Sequence, residues 1–145
     1  MDFSLNLSAP SIKLMDFLTD YENMTRFVPM QLKSVTIIEK NMDTVITEEV
    51  LEFKTIIKNK IIQQCIHRRP SPDKLITEII SGPAKNTIIT IKCKDIENGT
   101  EVHIDIDLKL SLKAKIFQPL IKKVYKQALS ATLYKMNTVA MEDQT

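Results

Sequence analysis

The chain has 145 residues, 43% of them hydrophobic and 26% charged, with a formal net charge of +2. That composition predicts one folded domain over residues 1–145 and excludes both a disordered chain and a bilayer-spanning helix, which needs an apolar run of about 18 residues. The near-balanced charge argues against wholesale nucleic-acid binding, and the two glycines, Gly82 and Gly99, leave no Gly-rich phosphate loop.

The first residues, Met1-Asp2-Phe3-Ser4-Leu5-Asn6, have neither the basic start nor the apolar middle of a secretory signal, so a cytoplasmic protein is expected. Residues 2–8 alternate, with Phe3, Leu5 and Leu7 on one side, the period of a half-buried strand. Pro10 and Ser11 open a helical pattern over 12–21, and a second helical turn over 22–28 is stopped by Pro29. Strands then follow at 31–40, 44–57, 60–69, 74–81, 86–96 and 100–112. The breaks between them, such as Asn41-Met42-Asp43, Gly82-Pro83 and Glu97-Asn98-Gly99, carry turn chemistry of hairpin length.

The last of these strands shows its faces best. Val102, Ile104, Ile106, Leu108, Leu110 and Leu112 alternate with Glu101, His103, Asp105, Asp107, Lys109 and Ser111, the signature of an antiparallel sheet with one wet face. Segment 60–69 is ambiguous, because both of its faces mix apolar and polar residues. From about 114 to 141 the period becomes 3.6, with a start or kink at Pro119. Phe117, Ile121, Val124, Tyr125, Ala128, Leu129, Thr132, Leu133, Met136 and Ala140 share one arc of this helix. At 1.5 Å per residue the helix is roughly 40 Å long, enough to cross a whole sheet. An antiparallel sheet with one apolar face needs a cover, and this helix is the element large enough to provide it. Small residues at mid-helix, Ala128 and Thr132, lie between larger ones and leave room beneath if the sheet curves away. Met24, Met30 and Met136 are candidates for adaptable lining.

Several segments resemble a known family. Asp20-Tyr21-Glu22-Asn23-Met24-Thr25-Arg26-Phe27-Val28-Pro29 is similar to the D-x-E-x-x-x-x-x-x-P stretch of the two-helix insertion in the START-like (SRPBCC) helix-grip superfamily, specifically its polyketide cyclase/dehydrase and coenzyme Q-binding branch. Arg68-Arg69-Pro70, the Gly82-Pro83 pair after Ile79-Ile80-Ser81, and Asn98-Gly99-Thr100-Glu101-Val102 resemble its central strands and last turn. The resemblance implies an α+β, β-α-α-β6-α fold in which a curved antiparallel seven-stranded sheet wraps a long C-terminal helix. It further implies a cavity for lipids, quinones, hormones or polyketides, with catalysis in only a minority of members and no universal catalytic motif.

Parity and the helix arc nominate Phe27, Leu51, Phe53, Ile91, Ile106, Leu108, Val124, Ala128 and Thr132 as cavity lining. Three residues are candidates for acid/base work. Glu49 shares parity with Leu51 and Phe53 and is expected to point inward, where burial would raise its pKa. Glu78 shares parity with Ile76 and Ile80, so its side is open. His67, beside Arg68 and Arg69, reads either as an acid/base at the cavity mouth or, the favoured expectation, as an exposed strand-end histidine. The two arginines are expected to face water, with an anionic head group as the alternative. His103 with Asp105 and Asp107 is a solvent-side cluster lacking a third metal ligand, so neither metal nor cofactor is expected. Cys65 and Cys93 are expected as small buried hydrophobes.

Lys122, Lys123 and Lys126, preceded by Lys113 and Lys115, form a basic stretch that faces water or docks transiently on an anionic membrane. The expected function is binding or carriage of a hydrophobic small molecule; alternatives are a cyclase or dehydratase acting on such a ligand, and a cavity-free interaction module. A hollow of several hundred Å³ would separate the first two from the third.

Overall fold

The computed structural model describes residues 1–28, 31–53 and 57–142. The elements are β1 (Asp2–Leu7), α1 (Ser11–Leu18), a 3-10 helix (Tyr21–Arg26), β2 (Leu32–Lys40), β3 (Thr44–Phe53), β4 (Ile57–Ser71), β5 (Lys74–Ile79), β6 (Ile88–Ile96), β7 (Gly99–Asp107), α2 (Leu112–Lys115) and α3 (Gln118–Glu142). The strands form one seven-stranded sheet in the order β1-β7-β6-β5-β4-β3-β2, every neighbouring pair antiparallel. This is the α+β helix-grip arrangement. Hairpins build the sheet from β2 to β7, and β1 closes onto β7 while α1 and the 3-10 helix carry the chain to the opposite edge.

Gly99 makes the β1–β7 junction possible, since a Cβ there would lie 2.0 Å from the Leu7 carbonyl oxygen. Thr100 Oγ1 then donates to the Ala9 carbonyl at 2.7 Å, fixing the exit of β1. Register shifts in β2, between Leu32 and Ser34 and between Ile37 and Glu39, and in β4 opposite Glu52–Phe53 bend that side of the sheet. Beneath β1, β7 and β6 the core is dense: Leu14, Met15, Val102, Ile104, Leu133, Met136 and Ala140 are at most 1% exposed.

Element ends depart from the sequence pattern where hydrogen-bonding partners run out. β7 stops at Asp107 although its alternation continues to Leu112, because β6 begins only at Ile88 and offers no further ladder. The Thr87 side chain takes over, accepting from the Lys109 amide at 2.9 Å and donating to the Lys109 carbonyl at 3.0 Å. Residues 112–115 coil into α2, and the expected single helix breaks at Ile116–Phe117, just before Pro119, which lacks an N–H and suits a first turn. β4 runs on through Pro70 to Ser71, two residues beyond its expected end. Among the described residues no helix is long and apolar enough to cross a membrane.

Candidate functional site

The two halves of α3 meet the sheet differently. Leu133, Met136 and Ala140 sink into the core, whereas Val124, Tyr125, Ala128 and Leu129 stand over a hollow. The small side chains of Ala128 and Thr132 give this half its clearance, and the Thr132 hydroxyl turns back to the Ala128 carbonyl at 2.7 Å. The opposite wall is the inner face of the bent sheet, with Leu51, Leu75, Ile79, Ile89 and Ile91 among its apolar members. Leu18, Tyr21, Met24 and Val28 close the end beneath α1 and the 3-10 helix. The pocket measures about 200 Å³, larger than the ~150 Å³ apolar cavity that accepts benzene in an engineered lysozyme. A second hollow of about 50 Å³ shares Leu51, Gln63, Val124 and Tyr125 with it and extends toward Ala114 of α2.

Five of the nominated lining residues, Leu51, Ile91, Val124, Ala128 and Thr132, stand in this wall. Three do not. Phe27 is 2% exposed and packs its ring on Phe17, with centroids 4.9 Å apart, behind the pocket rather than in it. Ile106 has the inward parity but belongs to β7, under the packed half of α3. Leu108 lies past the end of β7 and packs on that same core. Phe53 closes β3, and its side chain, like all of Met30, lies outside the described residues. Met24 lines the pocket, whereas Met136 is core.

The polar residues of the pocket sit on the central strands. His67 corrects the expectation of an exposed strand end: it is 7% exposed, because β4 continues past it and the inward parity of Gln63 and Cys65 carries through. Its Nε2 shares a 2.8 Å hydrogen bond with Thr47 Oγ1 on β3, and its Nδ1 another of 2.8 Å with Thr77 Oγ1 on β5. Tyr21 stacks on the imidazole at 4.2 Å between centroids. Burial with no carboxylate partner lowers the His67 pKa to about 4, so the ring is neutral at physiological pH. The same burial pushes the Tyr21 phenol up to about 12, opposed by nearby Arg69. This stacked pair divides the apolar pocket from a polar cleft bordered by Asp20, Lys40, Asp43 and Arg69.

Glu49 projects into the pocket from β3. Gln63 Nε2 donates to its Oε2 at 3.0 Å and the Cys65 thiol is a weaker donor, but desolvation outweighs both and raises the carboxyl pKa. Tyr125 and Cys65, which face Glu49, have their own pKa values raised chiefly by burial and further by its charge. Gln31 Oε1, also on the pocket, is buried and has no hydrogen-bond partner. Glu78 is placed otherwise: Leu75, Thr77 and Ile79 are the inward residues of β5, so Glu78 lies on the outer face. Arg68 and Arg69 are exposed, and Arg69 donates to the Pro72 carbonyl at 2.8 Å. His103 sits on the solvent face with Ser4 and Asp2. Both cysteines are free and buried.

Parity did not reveal Tyr21 on the 3-10 helix, Gln31 just ahead of β2, Gln63 on the ambiguous strand or Thr77 on the inner face of β5. The alternation Gln63-Cys65-His67 carried the signal for β4, hidden by polar side chains on the buried face.

Residues 7–137 match the family model described as polyketide cyclase/dehydrase and lipid transport. No curated protein matches the sequence. Among solved structures, the protein TTHA0849 from Thermus thermophilus superposes with a TM-score of 0.83 at 11% identity, covering 100% of this chain and 99% of its own. A START superfamily protein from Mycobacterium smegmatis gives 0.79 at 13% identity, with coverage of 100% and 98%. The Zhui aromatase/cyclase from a Streptomyces species gives 0.79 at 9% identity, with coverage of 100% and 94%. At such identities the likeness is one of fold.

Proposed function

The chain belongs to the polyketide cyclase/dehydrase and lipid transport family, a START-like helix-grip fold, and from that premise we propose that it binds or carries a hydrophobic small molecule between the sheet and the N-terminal half of α3. The observation that carries this reading is the pocket of about 200 Å³ under Val124, Ala128 and Thr132, where the same helix is elsewhere tightly packed. An isoprenoid quinone, a lipid or a polyketide-like aromatic matches its apolar walls in chemistry, and a pocket of about 200 Å³ takes a ring or a short chain segment of such a guest. Protein purified without delipidation, extracted and weighed by native mass spectrometry, is expected to carry a stoichiometric apolar ligand or to bind a neutral naphthylamine dye saturably. Absence of both overturns the reading.

Transient docking on an anionic membrane belongs to the same proposal. Lys122, Lys123 and Lys126 supply charge, and α2 with the start of α3 supplies apolar surface: Leu112 is 87% and Ile116 79% exposed, with Phe117 and Leu120 beside them. This surface adjoins the smaller hollow, which shares Leu51, Gln63, Val124 and Tyr125 with the pocket. A cytoplasmic setting is supported by the two free, buried cysteines.

A second reading, a cyclase or dehydratase like the aromatase/cyclase whose fold it shares, is favoured by Glu49 and His67 lying inside the pocket with neither placed against a charged partner. Turnover of a polyketide-like substrate that is lost in Glu49→Gln or His67→Gln would establish it.

A further inference from the structure

The polar groups around the pocket are unequally committed. Both nitrogens of His67 are engaged by Thr47 and Thr77, and Thr132 is bonded within its own helix. Two acceptors are under-served. Glu49 has the Gln63 amide on one oxygen and otherwise only the weak Cys65 thiol, and Gln31 Oε1 is buried with no partner at all. Both line the same pocket at different points of the sheet margin: Glu49 pairs with Val35 across β2–β3, and the Gln31 carbonyl accepts from the Glu52 amide at 2.8 Å, farther along β3. Among the described residues lining the pocket there is no lysine or arginine. The titratable groups facing Glu49 are Cys65 on β4 and Tyr125 on α3, both held in their neutral forms by burial.

A buried acceptor without a donor is costly, and so is a buried carboxyl without a cation. A guest that brings a positively charged donor to Glu49 removes the larger of these costs. A carboxylate guest adds a second negative group and finds no positive one. We propose that the pocket selects a hydrophobic guest whose polar end is a protonated amine, seated against the Glu49 carboxylate, and disfavours a carboxylate on an equally hydrophobic chain. This rests on the pocket being a ligand site. Seating the guest makes no covalent bond: the ammonium keeps its protons and pairs with the Glu49 carboxylate.

The test displaces a neutral naphthylamine dye from the full chain with octylamine, 1-octanol and octanoate at neutral pH. Octylamine is expected to compete at about tenfold lower concentration than octanoate, with octanol between them. Glu49→Gln is expected to bring the amine and the carboxylate to within about threefold of each other. Octanoate displacing the dye as well as octylamine, or an unchanged amine-to-carboxylate ratio in Glu49→Gln, overturns the selectivity and leaves the carrier reading standing. No saturable dye binding overturns both. Should Glu49→Gln fail to fold, the wild-type rank order still decides.

Discussion

The two halves of α3 are an internal contrast within one helix. From Leu133 to Ala140 its inward side chains are buried at the β1–β7–β6 end of the sheet; from Val124 to Thr132 its inward side chains line the hollow over the β3–β4–β5 region. The difference comes from the sheet more than from the helix. Irregularities in β2 and β4 bend one side of it away, whereas α1 fills in beneath the other with Leu14 and Met15. Stability and binding are thus assigned to different ends of one element, and substitutions can separate them.

The sharpest separation comes from truncation. Leu133→Ala, at the packed end, is expected to cost about 2–5 kcal/mol in urea unfolding, and Leu129→Ala, at the open end, less than half as much. Equal losses would mean that the hollow is not a hollow. The next effect is a pH dependence of the pocket itself. His67 titrates near 4 when folded against an ordinary 6.5, so the unfolded chain takes up a proton in that window that the folded chain refuses. Stability is therefore full above about pH 6.5 and falls by on the order of 3 kcal/mol as pH drops toward 4. A His67→Gln variant should lose that part of the acid sensitivity. Glu49 works in the opposite sense, since a raised carboxyl pKa costs stability as pH rises above the ordinary 4.5. Glu49→Gln is expected to raise the urea midpoint at neutral pH and to change it little near pH 4.

Overfilling gives a smaller but more diagnostic effect. Ala140→Phe forces a ring into close packing and is expected to cost about 1–3 kcal/mol, while Ala128→Phe costs under about 1 kcal/mol because space exists for the ring. Smallest is the surface effect: Lys122→Glu with Lys123→Glu should weaken sedimentation with phosphatidylserine vesicles by about 1 kcal/mol per lysine removed. Neutral vesicles should show no such difference.

Much of this fold is legible in residue patterns. The alternation of Val102 to Ile106 announces the sheet, turn chemistry marks the hairpins, and the arc from Ile121 to Ala140 announces the covering helix. Patterns fail where the partner decides. Nothing in Leu108-Lys109-Leu110 says that β6 has ended, and nothing in Ile116-Phe117 says that the helix restarts there. The pocket wall is half legible for a related reason. Parity assigns a side chain to the concave face, as it does for Leu51 and Ile91, but not to the open or the packed end of that face, so Ile106 and Leu108 pass as lining and prove to be core. His67 was hidden by its exposed neighbours Arg68 and Arg69, and Tyr21 by a fold-back of the 3-10 helix that only tertiary structure supplies.

The most direct measurement is a titration of a neutral naphthylamine dye into the wild-type chain and into Ala128→Trp, with circular dichroism recorded on both. Saturable one-to-one binding by the wild type, lost in a variant that keeps its β-rich spectrum, is the predicted result. A wild type that never saturates, or a variant that binds the dye unchanged, would contradict a ligand site beneath the open half of α3.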